Sequence, residues 1–172
     1  MTSLVLTVIG DDRTGLVATL TSLVEARGGS WQRSGMARLA GKFAGVAEVE
    51  VPQDAVESLR RDLDALAQDG LTVTVTDTRE GQGPPTRTAR LHLLGQDRPG
   101  ILAEISAALA THRVGIEELD TSLRDAPMAG GRLFEVDALL SLPDDATDGS
   151  VRGELERLAD ELMVDLTFDA DV

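Results

Sequence analysis

The feature that most constrains the fold is a repeat. The stretch "GDDRTGLVATL", Gly10 to Leu20, returns as "GQDRPGILAEI", Gly95 to Ile105, at an offset of 85 residues. Gly10, Asp12, Arg13, Gly15 and Ala18 are matched by Gly95, Asp97, Arg98, Gly100 and Ala103, while the apolar positions 16, 17 and 20 stay apolar. An offset of 85 in a chain of 172 residues points to two copies of one small unit rather than one domain of ordinary size.

Each copy reads as the same series of elements. In the first, "SLVLTVI" from Ser3 to Ile9 is aliphatic and rich in β-branched residues, the signature of a strand, and it ends at Gly10. Leu16, Val17, Leu20, Leu23 and Val24 then recur at helical spacing, with Thr14 placed to cap them and Gly28 and Gly29 closing the pattern. Two strand candidates follow, Ser30 to Leu39 and Phe43 to Val51, with a hairpin expected around Gly41. Pro52 stops the second. Asp54 with Glu57 resembles a capping box, and it opens a helix whose core face is Val56, Leu59, Leu63 and Leu66. After Gly70, "LTVTVTD" alternates as a final strand.

The second copy repeats this order. "RLHLLG" up to Gly95 is a strand, and Ile101, Leu102, Ile105, Ala108 and Leu109 form a helix face. Gly115 to Arg124 and Leu133 to Leu142 are the hairpin strands. Val151, Leu155, Leu158 and Leu162 mark the second helix, and "VDLTF" from Val164 is the last strand. The expected organisation is a unit over 1–78, a Gly/Pro-bearing linker over 79–88 and a second unit over 89–172. A β-α-β-β-α-β order with right-handed crossovers closes as a four-stranded antiparallel sheet with both helices on one face. The fold class is therefore α+β, with two ferredoxin-like units. One face of each sheet is left bare unless something covers it.

Composition removes whole classes of chemistry. The absence of cysteine rules out disulfides, thiolate metal sites and cysteine nucleophiles, and two histidines 20 residues apart, His92 and His112, give no metal-binding pattern. No metal and no cofactor are expected. The 30 acidic against 16 basic residues, a net of −14, provide no concentrated positive surface for a phosphate backbone, so direct nucleic-acid binding is not expected. RNA-recognition domains share the strand order but need stacking aromatics, and this chain has three phenylalanines, one tryptophan and no tyrosine. No apolar run is long enough for a membrane span, and the opening "MTSLVLTVIGDD" has no basic region of a secretory signal, so a cytoplasmic protein is expected. The acidic stretch from Glu117 to Asp120 and the "PDDATD" segment read as a solvated face and a loop, or as a docking surface for a basic partner.

The repeated turn is where function is to be sought. A loop that leaves a strand and enters a helix points the free N–H groups of the first turn, and the positive end of the helix dipole, at whatever lies above it. An anion such as a carboxylate suits that position. Gly15 and Gly100 lack a β-carbon and allow close approach. Asp12 and Asp97 can accept from an ammonium group, and Arg13 and Arg98 can pair a carboxylate or brace the loop. Together these parts fit a small zwitterion. The plainer reading stands beside it: Pro99 suits the first helical position, Asp97 or Thr14 caps, and the glycines only permit the turn.

"DRTGLVATL" and "DRPGILAEI", each after an apolar strand, resemble the signature turn of the ACT domain. Two such units with no further domain resemble the glycine cleavage system transcriptional repressor family. Similar turns open formyltetrahydrofolate deformylases, whose catalytic domain has no room here. The resemblance implies a small amino-acid effector bound at the turn against a neighbouring ACT domain, in a homodimer that acts on a regulator or enzyme partner. Carried over by position, the ligand-binding residues would be Asp12, Arg13, Thr14, Gly15 and Leu16, with Asp97, Arg98, Pro99, Gly100 and Ile101 in the second copy. The start of the strand facing the loop across an interface would add Ser30, Trp31, Gly115 and Ile116. Members often carry Asn-Ile there, and this chain reads Ser-Trp and Gly-Ile. The second copy, with Pro99, keeps more of the pattern at the turn. The resemblance implies no enzyme. Two other classes stay open, a small anion-binding enzyme of acylphosphatase type on a ferredoxin-like scaffold and a purely structural assembly module.

Overall fold

A computed structural model of the chain describes residues 1–78, 87–126, 131–143 and 148–170. Most of the expected linker, over 79–86, and residues 144–147 of the "PDDATD" segment lie outside the described residues. The chain divides into two compact units, Met1–Gln82 and Gly83–Val172.

In the first unit β1 (Thr2–Asp11), α1 (Leu16–Ala26), β2 (Ser30–Leu39), β3 (Lys42–Val51), α2 (Val56–Ala65) and β4 (Leu71–Asp77) follow one another. The second repeats them as β5 (Thr88–Gln96), α3 (Ile101–Thr111), β6 (Gly115–Asp125), β7 (Arg132–Ser141), α4 (Asp148–Leu162) and β8 (Asp165–Ala170). The sheets have the same order, β2-β3-β1-β4 and β6-β7-β5-β8, with antiparallel pairing throughout. The α+β ferredoxin-like architecture expected from the element order is the one observed, twice.

Period-two alternation decides which face is core. Along β1, Leu4, Leu6 and Val8 are buried against Leu16, Leu20 and Val24 of α1 and Leu59 and Leu63 of α2. The equivalent cluster in the second unit joins Leu91 and Leu93 of β5 to Ile101, Ile105 and Leu109 of α3 and Val151 and Leu155 of α4. Burial of such aliphatic side chains, at about 1.5–3 kcal/mol each, holds each helix pair on one face of its sheet. Trp31 packs partly buried against the first cluster, as a core or interface residue should. Both outermost long strands carry a bulge at the same place, with Gln32 and Glu117 as the extra residues.

The start of α2 departs from the sequence reading. Asp54 and Glu57 form no capping box: Gln53–Ala55 is a short 3₁₀ turn running into α2, and α2 has no side-chain cap. Its first turn is instead bonded by Ser58 Oγ, which donates to the Ala55 carbonyl at 2.8 Å.

The first glycine of each repeated turn has a steric reason. A β-carbon at Gly10 would stand 2.6 Å from the Gly70 carbonyl oxygen, and one at Gly95 would stand 2.2 Å from Val164 Cγ1. The backbone oxygen cannot retreat without moving the start of β4. Gly10→Ala is expected to destabilise the first unit by about 1–3 kcal/mol, the usual cost of overpacking a filled site. Urea unfolding followed by fluorescence of Trp31 measures it, and a loss below about 0.5 kcal/mol contradicts the steric account.

Candidate functional site

Each turn begins where the central strand runs out beside the hairpin of its own unit. Asp12 N–H donates to the Gly41 carbonyl at 3.0 Å, and Asp97 N–H donates to the Arg132 carbonyl at 2.9 Å. In the first unit the hairpin turns through Ala40 and Gly41, both at positive φ, as the tightest hairpins require. The polypeptide then reaches Gly15 and Gly100, whose φ values of 92° and 98° lie in the left-handed region. These glycines occupy the N-cap positions of α1 and α3, and neither helix has a side-chain cap.

Two expectations change accordingly. Thr14 does not cap α1, because Gly15 already holds the cap position, and Asp97 does not cap α3. Pro99 is not the first helical residue, since Ile101 is and Gly100 intervenes. The N–H groups of the first helical turn are therefore left without a side-chain acceptor, next to the positive end of the dipole. The first intrahelical bonds come only at Thr19 and Glu104, whose N–H groups donate to Gly15 and Gly100.

Leu16 and Ile101 are buried in their cores, so at the turn they present backbone rather than side chain. Asp12, Arg13, Thr14 and Gly15 are exposed, as are Asp97, Arg98, Pro99 and Gly100. A side chain on Gly15 would meet nothing within 4 Å, so the space above the first turn is open.

The carboxylates of the turn have guanidinium partners that the sequence reading missed. Arg38, near the end of β2, donates to Asp12 Oδ2 at 3.1 Å. Arg132, at the start of β7, donates to Asp97 Oδ2 at the same 3.1 Å. Lys42 pairs with Asp11, and that hydrogen bond, followed by the charge of the ammonium, holds the Asp11 carboxyl below its ordinary range. No spacing rule links Arg38 to Asp12. What could have found it is the antiparallel register, which brings Asp11 opposite Lys42 and Lys42 opposite Leu39.

The two turns differ in their arginine. Arg98 is held by Glu104 through two hydrogen bonds, of 3.1 and 2.9 Å. The position equivalent to Glu104 is Thr19, whose hydroxyl donates to the Gly15 carbonyl at 3.1 Å. Arg13 has no ion-pair partner among the described residues, so its guanidinium is available at the open turn.

The expected residues do not all come together within a unit. Ser30 pairs with Glu50, and Glu50 pairs with Ser3, at the end of the sheet opposite the turn. Gly115 likewise pairs with Ser141, across from Thr88 at the far end of β5. Ser30 and Trp31, like Gly115 and Ile116, are therefore remote from the turn of their own unit. Ser30 Oγ is bonded to Gln32 Nε2 at 2.7 Å.

A model of the ACT domain matches residues 2–76 and again 90–169. UPF0237 protein MK1213 of Methanopyrus kandleri is 41% identical over 76 residues, which is 43% of this chain and 77% of that protein. The fold of the whole chain recurs in a crystal structure of an unknown protein from Galdieria sulphuraria, with 28% identity, a TM-score of 0.87 and 99% of each chain covered. It recurs again in a crystal structure named as a "putative glycine cleavage system transcriptional repressor", with 17% identity, a TM-score of 0.74 and coverage of 99% of this chain and 97% of that one.

Because Gly15 has open space around it, the cost of a side chain there is conformational alone. Gly15→Ala is expected to cost about 1–2 kcal/mol, and Gly15→Asn less, since asparagine tolerates the left-handed region. Trp31-detected unfolding ranks the two; equal stability of wild type and Gly15→Ala would show that the positive φ is not needed.

Proposed function

The chain belongs to the ACT-domain family, whose two matches cover residues 2–76 and 90–169, and on that footing we propose that it is a non-enzymatic regulatory protein. It binds a small amino acid, glycine-like in size, at the turn, and passes the bound state to a transcriptional regulator or metabolic enzyme by protein contact. It acts in the cytoplasm as a homodimer, with no cofactor and no direct contact to nucleic acid. Among the described residues, no helix is long and apolar enough to cross a membrane.

The observation that carries this reading is the uncapped helix start. At Gly15 and Gly100, backbone N–H groups and the dipole are aimed outward with no side-chain acceptor. A free amino-acid carboxylate supplies that acceptor. Asp12 and Asp97 stand beside the helix start, each with Oδ2 on a hairpin guanidinium and Oδ1 to offer the ammonium, and Arg13 adds a cation for the carboxylate. The second half of the site, from Ser30 and Trp31 or from Gly115 and Ile116, comes from an ACT unit of a second chain in the homodimer, since it is remote from the turn of its own unit. Ligand that bridges two units favours their paired state, which is how binding becomes a signal.

The first turn is the better receptor. Glu104 already supplies a carboxylate to Arg98 in the second turn, and an incoming anion must compete with it. The similarity to a structure named as a repressor, at 17% identity, supports the architecture of this proposal and leaves the partner to experiment.

Calorimetry of the full chain against glycine, serine, alanine and larger amino acids tests the reading. Binding of at least one small amino acid is expected, weakened about tenfold or more by Arg13→Ala, in keeping with about 1.5–3 kcal/mol for a hydrogen bond to a charged group. Glu104→Ala should add binding at the second turn, raising stoichiometry or affinity. Arg13 and Glu104 are exposed, so these variants should fold; Gly100 is a poorer probe because any side chain is strained at its φ. Absence of heat with every amino acid, together with an unchanged melting temperature, would sink the sensor reading and favour a structural assembly module.

A further inference from the structure

The face of the second sheet that turns away from α3 and α4 carries a cluster that the turn does not use. His92 on β5 stands directly across from Asp137 on β7, with Nδ1 3.0 Å from Asp137 Oδ1. Glu135, two residues back on β7 and on the same face, places Oε1 3.9 Å from His92 Nε2. One donor atom from each of the three residues lies within 4.8 Å of the other two. On the far side of β7, Asp120 of β6 is paired directly with Asp137. Glu118, Asp120, Asp137 and Arg90 line a shallow cavity of about 220 Å³ beside the cluster.

Like charges directly opposite on one face of a sheet are destabilising. The first unit shows that the fold does not require them. By register, Thr7, Val46 and Ala44 stand where the second unit has His92, Asp137 and Glu135, and Gly35 stands where it has Asp120. The same sheet therefore closes with uncharged residues at all four positions. An imidazole and three carboxylates stand together in one copy alone; Arg124 already pairs with Glu135 and Arg90 lines the cavity, while His92 and Asp137, at 3.0 Å, are the nearest pair of donors.

We propose that His92, Asp137 and Glu135 bind a divalent first-row transition-metal ion, of the class of Zn²⁺, Co²⁺ and Ni²⁺. One imidazole nitrogen with two carboxylate oxygens is a borderline donor set that suits these ions. Donors 3.0 Å apart, each about 2.1 Å from an ion, subtend about 90° there, the angle of neighbouring positions in an octahedron. The ion takes the place of the proton between His92 and Asp137. One imidazole gives an ion only one nitrogen, so to join Asp137 at Nδ1, Glu135, whose Oε1 lies 3.9 Å from Nε2, must rotate its side chain and leave Arg124, which donates to that oxygen at 2.8 Å. Asp120 stays outside the donor set and adds negative charge beside it. The sequence expectation of no metal site departs from this because it sought histidine and cysteine partners near in sequence. Here the partners are carboxylates more than 40 residues away, 45 in the case of Asp137, brought in by strand pairing.

The test uses the full chain freed of metal with a chelator. Titration with Zn²⁺ in a calorimeter should give one ion per chain, and substoichiometric Co²⁺ should broaden the imidazole signals of His92 before those of His112. The chain's two histidines make that comparison internal. His92→Thr, which installs the residue of the first unit, should lower Zn²⁺ affinity about tenfold or more and leave metal-free stability nearly unchanged. Asp137→Val should do the same, and Glu135→Gln serves if the valine variant fails to fold. No heat above the buffer control, equal broadening of both histidines, or wild-type affinity in His92→Thr overturns the proposal.

Discussion

Everything at the turn depends on a backbone approach that admits no side chain. The central strand of each unit passes the start of its last strand at Gly10 and Gly95, where a β-carbon would lie 2.6 Å from the Gly70 oxygen or 2.2 Å from Val164 Cγ1. Because the strand can run that close, its end emerges beside the β2–β3 or β6–β7 hairpin, and the hairpin carbonyl takes the Asp12 or Asp97 N–H. The chain must then reverse into a helix within a few residues. It does so through a glycine at positive φ that occupies the cap position and brings no side chain with it. An ordinary helix start would be closed by serine, threonine or aspartate. This one is left open by construction, twice.

Duplication makes each unit a control for the other. What both share is architecture: the two glycines, the carboxylate tied to a hairpin guanidinium at 3.1 Å, and the bulge at Gln32 and Glu117. What they do not share is open to separate use. Exposed ion pairs such as Arg98 with Glu104 contribute about 0–1 kcal/mol to stability, so their presence in one copy is not dictated by folding. The difference between Thr19 and Glu104 instead changes whether the turn's arginine is available. On the sheet face away from the helices, Thr7 and Val46 are uncharged where the second unit has His92 and Asp137.

The fold was legible because its signals are local and repeated. Leu4, Leu6 and Val8 alternate on β1, and Leu16, Leu20 and Val24 recur at helical spacing on α1. Glycines mark most of the breaks between elements. Capping was legible only in part. Thr14 and the Asp54–Glu57 pair have the right residue types, but the glycine at positive φ and the 3₁₀ turn had already claimed those positions. The pairing of Arg38 with Asp12, of Arg132 with Asp97 and of His92 with Asp137 was not legible, since each joins residues 26 to 45 apart through register alone. Register also sets Ser30 and Gly115 at the far end of the sheet from the turn of their own unit, and the expectation for them concerns the turn of a neighbouring one.

The central claim is that ligand meets backbone at the uncapped helix starts, and amide-resolved spectroscopy tests it most directly. In a ¹⁵N-labelled full chain titrated with the amino acid that binds most tightly, the Gly15, Leu16 and Val17 amides should shift first and most, followed by Gly100, Ile101 and Leu102. Amides on the outer sheet faces, such as those of Thr7 and His92, should stay in place. Binding that shifts other amides and leaves both helix starts unmoved would contradict the account.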